Sequence, residues 1–314
     1  MSFLAVLFAL LLEQAHPLSH GNVVHSGLRG WFAWVRHSLD AGQRQHGVLV
    51  WCMAVALPAA LAAAIHWLLW SYSVLLTFAW AVLVLYLTLG FRQFSHHFTE
   101  IRGALERGEE QQAREALAQW RRVPVDGVAS GAELLREVME YSVLAVHRHV
   151  LGVLVVFVVF WMLGLGPAGA VLFRLADYVA STCRRAEPQQ PPPGLTPLEI
   201  QGGVGSVARQ MWGWINHWPA RCSAMAFAIV GNFEEAVAAW RAPHSTGRDA
   251  NHAVVLAAAA GALNVQLGDV TVLDSTSCRP PELAHLTSLV GLVWRSVVLW
   301  MLFLALLTLA NVLG

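Results

Sequence analysis

Long apolar runs separated by polar segments dominate the chain. Residues 47–70 and 72–91, separated by a tight turn at Ser71, are each about as long as the 20 or so apolar residues that a helix needs to cross a bilayer. Residues 296–313 form a further apolar run. The first 12 residues are apolar but short, and they lack the basic residues and cleavage site of a secretory signal. We therefore expect a short membrane-inserted or interfacial helix there.

A shorter apolar run, 150–163, precedes a segment rich in glycine and proline, and an apolar stretch then resumes to residue 182. Glycine favours the end of a helix and proline favours the first turn of the next one. Residues 150–182 are therefore expected to form a helical hairpin in the membrane. Such a hairpin can return to the side from which it started, or it can cross the bilayer fully.

The placement of arginine distinguishes these two arrangements, because cytoplasmic loops of membrane proteins are enriched in Lys and Arg. The segments 28–46 and 92–148 are both rich in Arg, and two predicted spans separate them, so both should face the cytoplasm. The Arg-rich region 183–295 joins them only if the hairpin returns. The charge pattern therefore favours a returning hairpin.

The composition agrees with a membrane protein. Of the 314 residues, 56% are hydrophobic and 13% are charged, whereas a soluble domain carries about 25% charged residues. The formal net charge of zero argues against nucleic-acid binding, which needs a basic excess. We predict an all-α, polytopic membrane protein with about four to five membrane-embedded helical segments, organised as a single domain over residues 1–314.

The polar segments carry their own helix signals. Within the predicted cytoplasmic segment 92–148, two amphipathic helices should meet near Gly108, and a helix over 131–149 should lead into the hairpin. Residues 186–205 are rich in Pro and Gly and predict a surface loop. Asn232 is expected to cap a helix running from Phe233 to about Arg241, and the small residues of 252–263 suit a closely packed helix.

Neither histidines nor glycines form a recognisable metal or nucleotide motif. Metal ligands on one helix usually stand four residues apart, whereas His96 and His97 are adjacent and point to different faces. The four cysteines are far apart and lack zinc-site spacing. The Gly-rich segment 202–205 lacks the Lys-Ser/Thr of a phosphate loop. We therefore predict no metal site.

Two local patterns resemble a known family. Residues 216–221 read Asn-His-Trp-Pro-Ala-Arg, similar to N-x-L-P-A-R, and residues 258–268 resemble A-G-A-L-G-x-x-L-G. Both patterns occur, in this order, in the CobD/CbiB superfamily of membrane proteins. That resemblance implies adenosylcobinamide-phosphate synthase activity, which joins aminopropanol or its phosphate to adenosylcobyric acid through an amide bond. It also implies a multi-pass protein of the bacterial inner membrane.

The chain departs from the family's acidic patterns. Where the family has E-T-V-A-E-N-T-V-D-G, Glu140 is retained, but Leu144 and Arg148 replace the later acids. Where it has N-T-L-D-S, the Asp is replaced by Ala180, and of G-R-D-T only Asp126 is reminiscent. A bound cation would lose most of its ligands through these changes.

At these positions the chain resembles the AmpE-like branch of the superfamily, which also carries Leu-Arg-Glu before the hairpin, here residues 135–137, and an Arg at the place of Arg148. The leading prediction is therefore a non-catalytic accessory or regulatory protein without a cofactor. The alternative is a cobinamide-phosphate synthase with a rearranged site, which would use ATP and Mg²⁺. A transporter is less favoured, because inverted repeats and intramembrane charges are missing from the spans.

The polar positions within these patterns are candidates for a ligand pocket; they are Glu140, Arg148, Asp177, Asn216 and Arg221. Arg148 and Arg221 would suit an anionic small molecule such as a phosphate or carboxylate. In the competing hypothesis, Glu140 and Asp177 form structural ion pairs with arginine. The expected partners are the lipid bilayer, this anionic ligand and a second copy of the chain, and no catalytic residue is predicted.

Overall fold

A computed structural model describes residues 2–15, 23–39, 43–121, 131–186, 203–242, 250–268 and 279–313. Within these ranges the regular structure is helical, with an isolated bridge between Val265 and Arg279. The predicted all-α class is confirmed. Most of the predicted loop 186–205 and the candidate Asp126 lie outside the described residues.

The helices follow one another through both halves of the chain. They are α1 (Ser2–Ala15), α2 (Val23–Leu39), α3 (Arg44–Tyr72), α4 (Val74–Thr88), α5 (Phe91–Glu106), α6 (Glu110–Arg121), α7 (Gly131–Met162), α8 (Ala168–Ala186), α9 (Val204–Ile215), α10 (His217–Val230), α11 (Phe233–Arg241), α12 (Ala250–Leu263) and α13 (Leu283–Leu313). Short π-helical turns interrupt α3 at Cys52–Ala56 and α7 at His147–Leu151.

Three of the described helices are long and apolar enough to cross a membrane: Arg44–Tyr72, Gly131–Met162 and Leu283–Ala310. The first and third contain the predicted runs 47–70 and 296–309. The predicted run 72–91 forms a shorter helix, because Ser73 is extended and its Oγ accepts a hydrogen bond from the Leu75 N–H. The turn therefore lies at Ser73, and Ser71 belongs to α3.

The second of these helices is longer than the apolar pattern indicates. The predicted helix 131–149 and the run 150–163 form one continuous helix of 32 residues. Gly164 and Gly166 follow with φ values of 76° and 60°, and α8 begins at Ala168. A helix, a tight turn and a second helix therefore occupy 150–182 as predicted, whereas the return of this hairpin to the cytoplasmic side stays a prediction.

The described residues separate into two compact units, each made from two stretches of chain. The first unit comprises Met1–Leu89 and Val153–His217. Here α1 packs on α4, and α8 packs on α3, α4 and α9. A side chain at Gly47 would lie 2.7 Å from the carbonyl oxygen of Gly203, so the predicted Gly-rich segment serves close packing at the start of α9.

The second unit comprises Gly90–Gly152 and Trp218–Gly314. The predicted break between α5 and α6 is confirmed at Gly108, whose φ is 76°. The predicted cap is also confirmed, since Asn232 Oδ1 accepts a hydrogen bond from the Glu235 N–H at the start of α11. Gly261 on α12 allows close contact with α11, where an added Cβ would lie 2.6 Å from Ala236 Cα. The small-residue helix therefore packs as closely as its sequence predicts.

Candidate functional site

A π-helical turn at His147–Leu151 interrupts α7 within the second unit. Such turns are rare and often occur at functional sites, because the wider turn changes the directions of adjacent side chains. His147 is fully buried, and its Nδ1 lies 2.9 Å from the Oγ of Ser223 on α10. Ser223 is also fully buried. A polar contact therefore joins α7 to α10 inside the unit.

Arg148, the next residue of this turn, contacts the first turn of α12. Its Nη2 lies 3.0 Å from Nε2 of His252, which is buried. A guanidinium group has only donors, so Nε2 of His252 must accept this hydrogen bond. The contact therefore requires a His252 ring without a proton on Nε2.

Arg221 of α10 reaches the neighbouring residue on α12. Its Nη1 donates to Oδ1 of Asn251 over 3.3 Å, and Asn251 is buried. Two guanidinium groups from different helices thus meet consecutive residues in the first turn of α12. We call Arg148, Arg221, Asn251 and His252 the arginine cluster. Neither acceptor, the imidazole or the amide, neutralises the charge of its arginine.

Glu140 joins two segments that carry the family-like patterns. Its Oε1 accepts a hydrogen bond of 2.8 Å from the backbone N–H of Gly268, and Arg136 Nε lies 3.8 Å from the same oxygen. Gly268 has a φ of 83°, a conformation that glycine adopts without strain. The last glycine of the 258–268 pattern therefore presents its N–H to the carboxylate.

The remaining two candidates lie in the first unit. Asp177 on α8 is paired with Arg174 of the same helix, with Oδ2 3.6 Å from Nη1. Asn216 is fully buried at the end of α9, where its backbone N–H donates to the Trp212 carbonyl over 2.8 Å. Both candidate carboxylates, Glu140 and Asp177, thus have an arginine of their own helix nearby, as the ion-pair hypothesis expects.

Comparison with known proteins extends the likeness to nearly the whole chain. The chain is 29% identical to the cobalamin biosynthesis protein CobD of Stutzerimonas stutzeri (strain A1501), with 96% of each chain covered. It is 30% identical to the CobD of Chromobacterium violaceum over 60% of this chain and 54% of that protein. The chain belongs to the CobD/CbiB superfamily. No protein-family model and no solved structure matches it.

These CobD relatives favour the predicted alternative, a role in cobalamin biosynthesis, over the leading prediction of an accessory protein. They do not bear on the AmpE-like branch. The likeness covers both units, and the arginine cluster uses residues from three helices of the second unit: α7, α10 and α12. Arg221 belongs to the N-x-L-P-A-R-like pattern, so at least one family-like pattern of this CobD relative contributes directly to the cluster.

Mg²⁺, which the synthase alternative implies, does not fit the described part of this site. Mg²⁺ is held by carboxylates and by substrate phosphates. Among the described residues no three His, Cys, Asp or Glu side chains are grouped so that they could hold a metal ion. The arginine cluster would repel a cation and attract an anion. We therefore derive no step of the chemistry through a metal.

A thiol lies beside the cluster but is poorly suited to nucleophilic chemistry. Cys222 stands between Arg221 and Ser223 on α10 and is half-buried. Burial raises the pKa of the Cys222 thiol. Because the thiolate is the nucleophile, little of the reactive form is present at neutral pH.

The sequence analysis did not identify the residues that Arg148 and Arg221 contact. Asn251 and His252 begin a helix that reads as a run of small apolar residues, so they resemble ordinary helix-start residues. A polar pair at the head of an otherwise apolar helix is the signal that could have drawn attention to them. His147 was considered only as a metal ligand, whereas it contacts Ser223.

Proposed function

We propose that this chain is a membrane-embedded enzyme of cobalamin biosynthesis. Its reaction would be the one that the family resemblance implies, formation of an amide between adenosylcobyric acid and aminopropanol or aminopropanol phosphate. The observation that carries this proposal is the likeness to a CobD over 96% of the chain. The contacts of Glu140 with Gly268 and of Arg221 with Asn251 support it, since both use residues of the family-like patterns.

The arginine cluster suits the charges of this reaction. An amide forms when the amine nitrogen attacks the carboxyl carbon, loses a proton, and a carboxyl oxygen leaves. Activation by ATP would let that oxygen leave as phosphate. Each of the anions involved, a carboxylate or a phosphate, matches the bidentate donors of a guanidinium group. We assign to Arg148 and Arg221 the binding and orientation of such an anion.

We further propose that the protein spans the bacterial inner membrane several times with its Arg-rich segments in the cytoplasm. The three helices long enough to cross a bilayer support this placement. The exposed surfaces of these helices are apolar; Leu61, Trp67, Leu302 and Leu306 are each more than half exposed. In lipid such side chains face the acyl chains or the interface.

A second candidate function is the accessory, non-catalytic role typical of the AmpE-like branch. It is favoured by Arg148, which stands where the family pattern has an acid, and by the arginines placed beside Glu140 and Asp177. A site without free carboxylates could still bind an anion as a signal. This candidate predicts ligand binding without amide formation.

Genetic complementation separates the two candidates. A bacterial strain that lacks its own synthase and is supplied with cobyric acid should grow in a cobalamin-dependent medium when this gene is expressed. The Arg148→Gln variant should restore growth poorly, because its anion contact is lost. Arg241→Gln, on the exposed end of α11, is the matched control and should restore growth fully. If the wild-type protein accumulates in the membrane and no growth follows, the accessory role is favoured.

A further inference from the structure

The first turn of α12 gathers positive charge from three sources. Arg148 comes from the π-helical turn of α7, Arg221 comes from α10, and both contact the residue pair Asn251–His252. The N-terminal turn of a 14-residue helix adds its own unpaired N–H groups and the positive end of the helix dipole. The partners given to the two arginines here are neutral, so their charges add at one place.

We infer that the arginine cluster is a phosphate-binding subsite. A carboxylate would need only one guanidinium group, whereas a phosphate monoester carries about −1.5 to −2 charges and three acceptor oxygens. Two guanidinium groups and a helix N-terminus match that charge and that number of acceptors. Assigning the phosphate to a substrate rests on the proposed function, whereas phosphate binding itself is independent of it.

The contacts also show how the subsite is held ready for its ligand. Each guanidinium group has five N–H donors, and the contact with α12 occupies part of this set. Asn251 and His252 are buried, so the acceptor atoms that orient the arginines are fixed by packing. Arg148 and Arg221 are half-buried and keep part of their surface accessible. Pre-orientation of this kind reduces the entropy lost when an anion binds.

The phosphate could belong to a soluble ester or to a lipid headgroup, and one assay distinguishes them. The full-length protein is purified in an uncharged maltoside detergent, and its thermal unfolding is followed while inorganic phosphate is added. A ligand that binds the folded state raises the unfolding temperature in a dose-dependent way. Short-chain phosphatidylglycerol is then added. A lipid-headgroup site loses its phosphate response to this lipid, whereas a site for soluble esters keeps the response; both results support the subsite.

Variants locate the response. Arg148→Gln and Arg221→Gln should each weaken the apparent phosphate affinity roughly tenfold or more, because each removes a charge-assisted contact. Arg241→Gln should respond as the wild type does. Asn251→Asp covers the case in which an arginine variant fails to fold. It keeps the hydrogen bond from Arg221 and places an internal anion in the subsite.

Asn251→Asp should therefore unfold at no lower temperature than the wild type in the absence of phosphate, while its response to phosphate is lost. The inference is overturned if phosphate leaves the wild-type unfolding temperature unchanged with and without the lipid. It is also overturned if wild type, Arg148→Gln and Asn251→Asp respond equally. Because no activity is measured, a failed complementation and a failed binding experiment remain distinct results.

Discussion

Buried polar side chains in the second unit differ in where their hydrogen bonds go. Ser142 and Ser223 are both fully buried serines. The Ser142 Oγ donates to the Val138 carbonyl one turn earlier in the same helix, over 2.6 Å. The Ser223 Oγ instead contacts His147, 76 residues away in sequence. Only the second contact connects two helices, so the two serines should respond differently to removal of the hydroxyl.

Replacement of Ser223 by alanine should lower the free energy of unfolding by about 1–3 kcal/mol, because His147 Nδ1 loses this partner in a buried place. Ser142→Ala is the matched control and should have little effect, since its hydroxyl only adds a bond to a carbonyl that the helix already uses. Equilibrium unfolding of both variants in detergent micelles provides the measurement. Equal losses in the two variants would contradict the assigned role of the His147–Ser223 contact.

At the residue scale, the local features could be predicted from sequence and the distant ones could not. Asn232 as a cap and Gly108 as a break follow from the chemistry of one or two residues, and both were correct. The contact of Arg148 with His252 joins residues 104 positions apart. It depends on the packing of α12 against α7, which no local pattern specifies.

At the element scale, charge within a helix hid its length. The segment 131–149 contains Glu133, Glu137, Glu140 and Arg148, so its polarity separated it from the apolar run that follows. In the structure one helix continues from Gly131 to Met162. Most of its polar side chains have partners within the second unit, such as Arg121 Nη1 2.5 Å from Glu137 Oε2. A helix whose polar groups are satisfied by protein does not have to end where the apolar run ends.

The turn between α7 and α8 offers a prediction at the same scale. Gly164 and Gly166 both have positive φ, but only Gly166 has a neighbour where a side chain would stand, the His66 ring. Gly164→Ala should lower stability by about 1–2 kcal/mol, the usual difference for a left-handed residue with a Cβ. Gly166→Ala should lower it further, because the added methyl group meets the ring.

Unfolding measurements on a third variant identify the cause. In a His66→Ala background, which removes the ring, Gly166→Ala should destabilise the protein no more than Gly164→Ala does. If the extra loss persists without the ring, the contact with His66 is not its source. This contact also revises the expected place of His66: it is buried beside Trp161, whereas the exposed Trp67 and Trp70 are suited to the membrane interface.

At the scale of the whole molecule, apolar runs and arginine placement were sufficient to predict a helical membrane protein. They were not sufficient to predict two units built from alternating stretches of chain. That arrangement depends on contacts between segments far apart in sequence, as for Glu140 and Gly268, which are 128 positions apart. The family likeness was visible in two short patterns, and comparison over 96% of the chain supports it.

The balance between enzyme and accessory protein is also a property of the whole molecule. Acid-to-Arg and acid-to-Leu replacements suggested a lost activity, because they remove ligands for a cation. The arginine cluster shows a different consequence of the same change at Arg148, since its guanidinium group contacts the head of α12 close to Arg221. A site that binds its anion through arginine needs fewer carboxylates than one that binds it through a metal.

Product formation tests this account most directly. Membranes containing the protein are incubated with adenosylcobyric acid, aminopropanol phosphate, ATP and Mg²⁺, and the corrinoids are analysed by mass spectrometry. The account predicts a product heavier by the amine minus one water, formed by the wild type and Arg241→Gln and strongly reduced for Arg148→Gln. Unchanged adenosylcobyric acid, from membranes in which the wild-type protein is folded and binds phosphate, would contradict the enzymatic role.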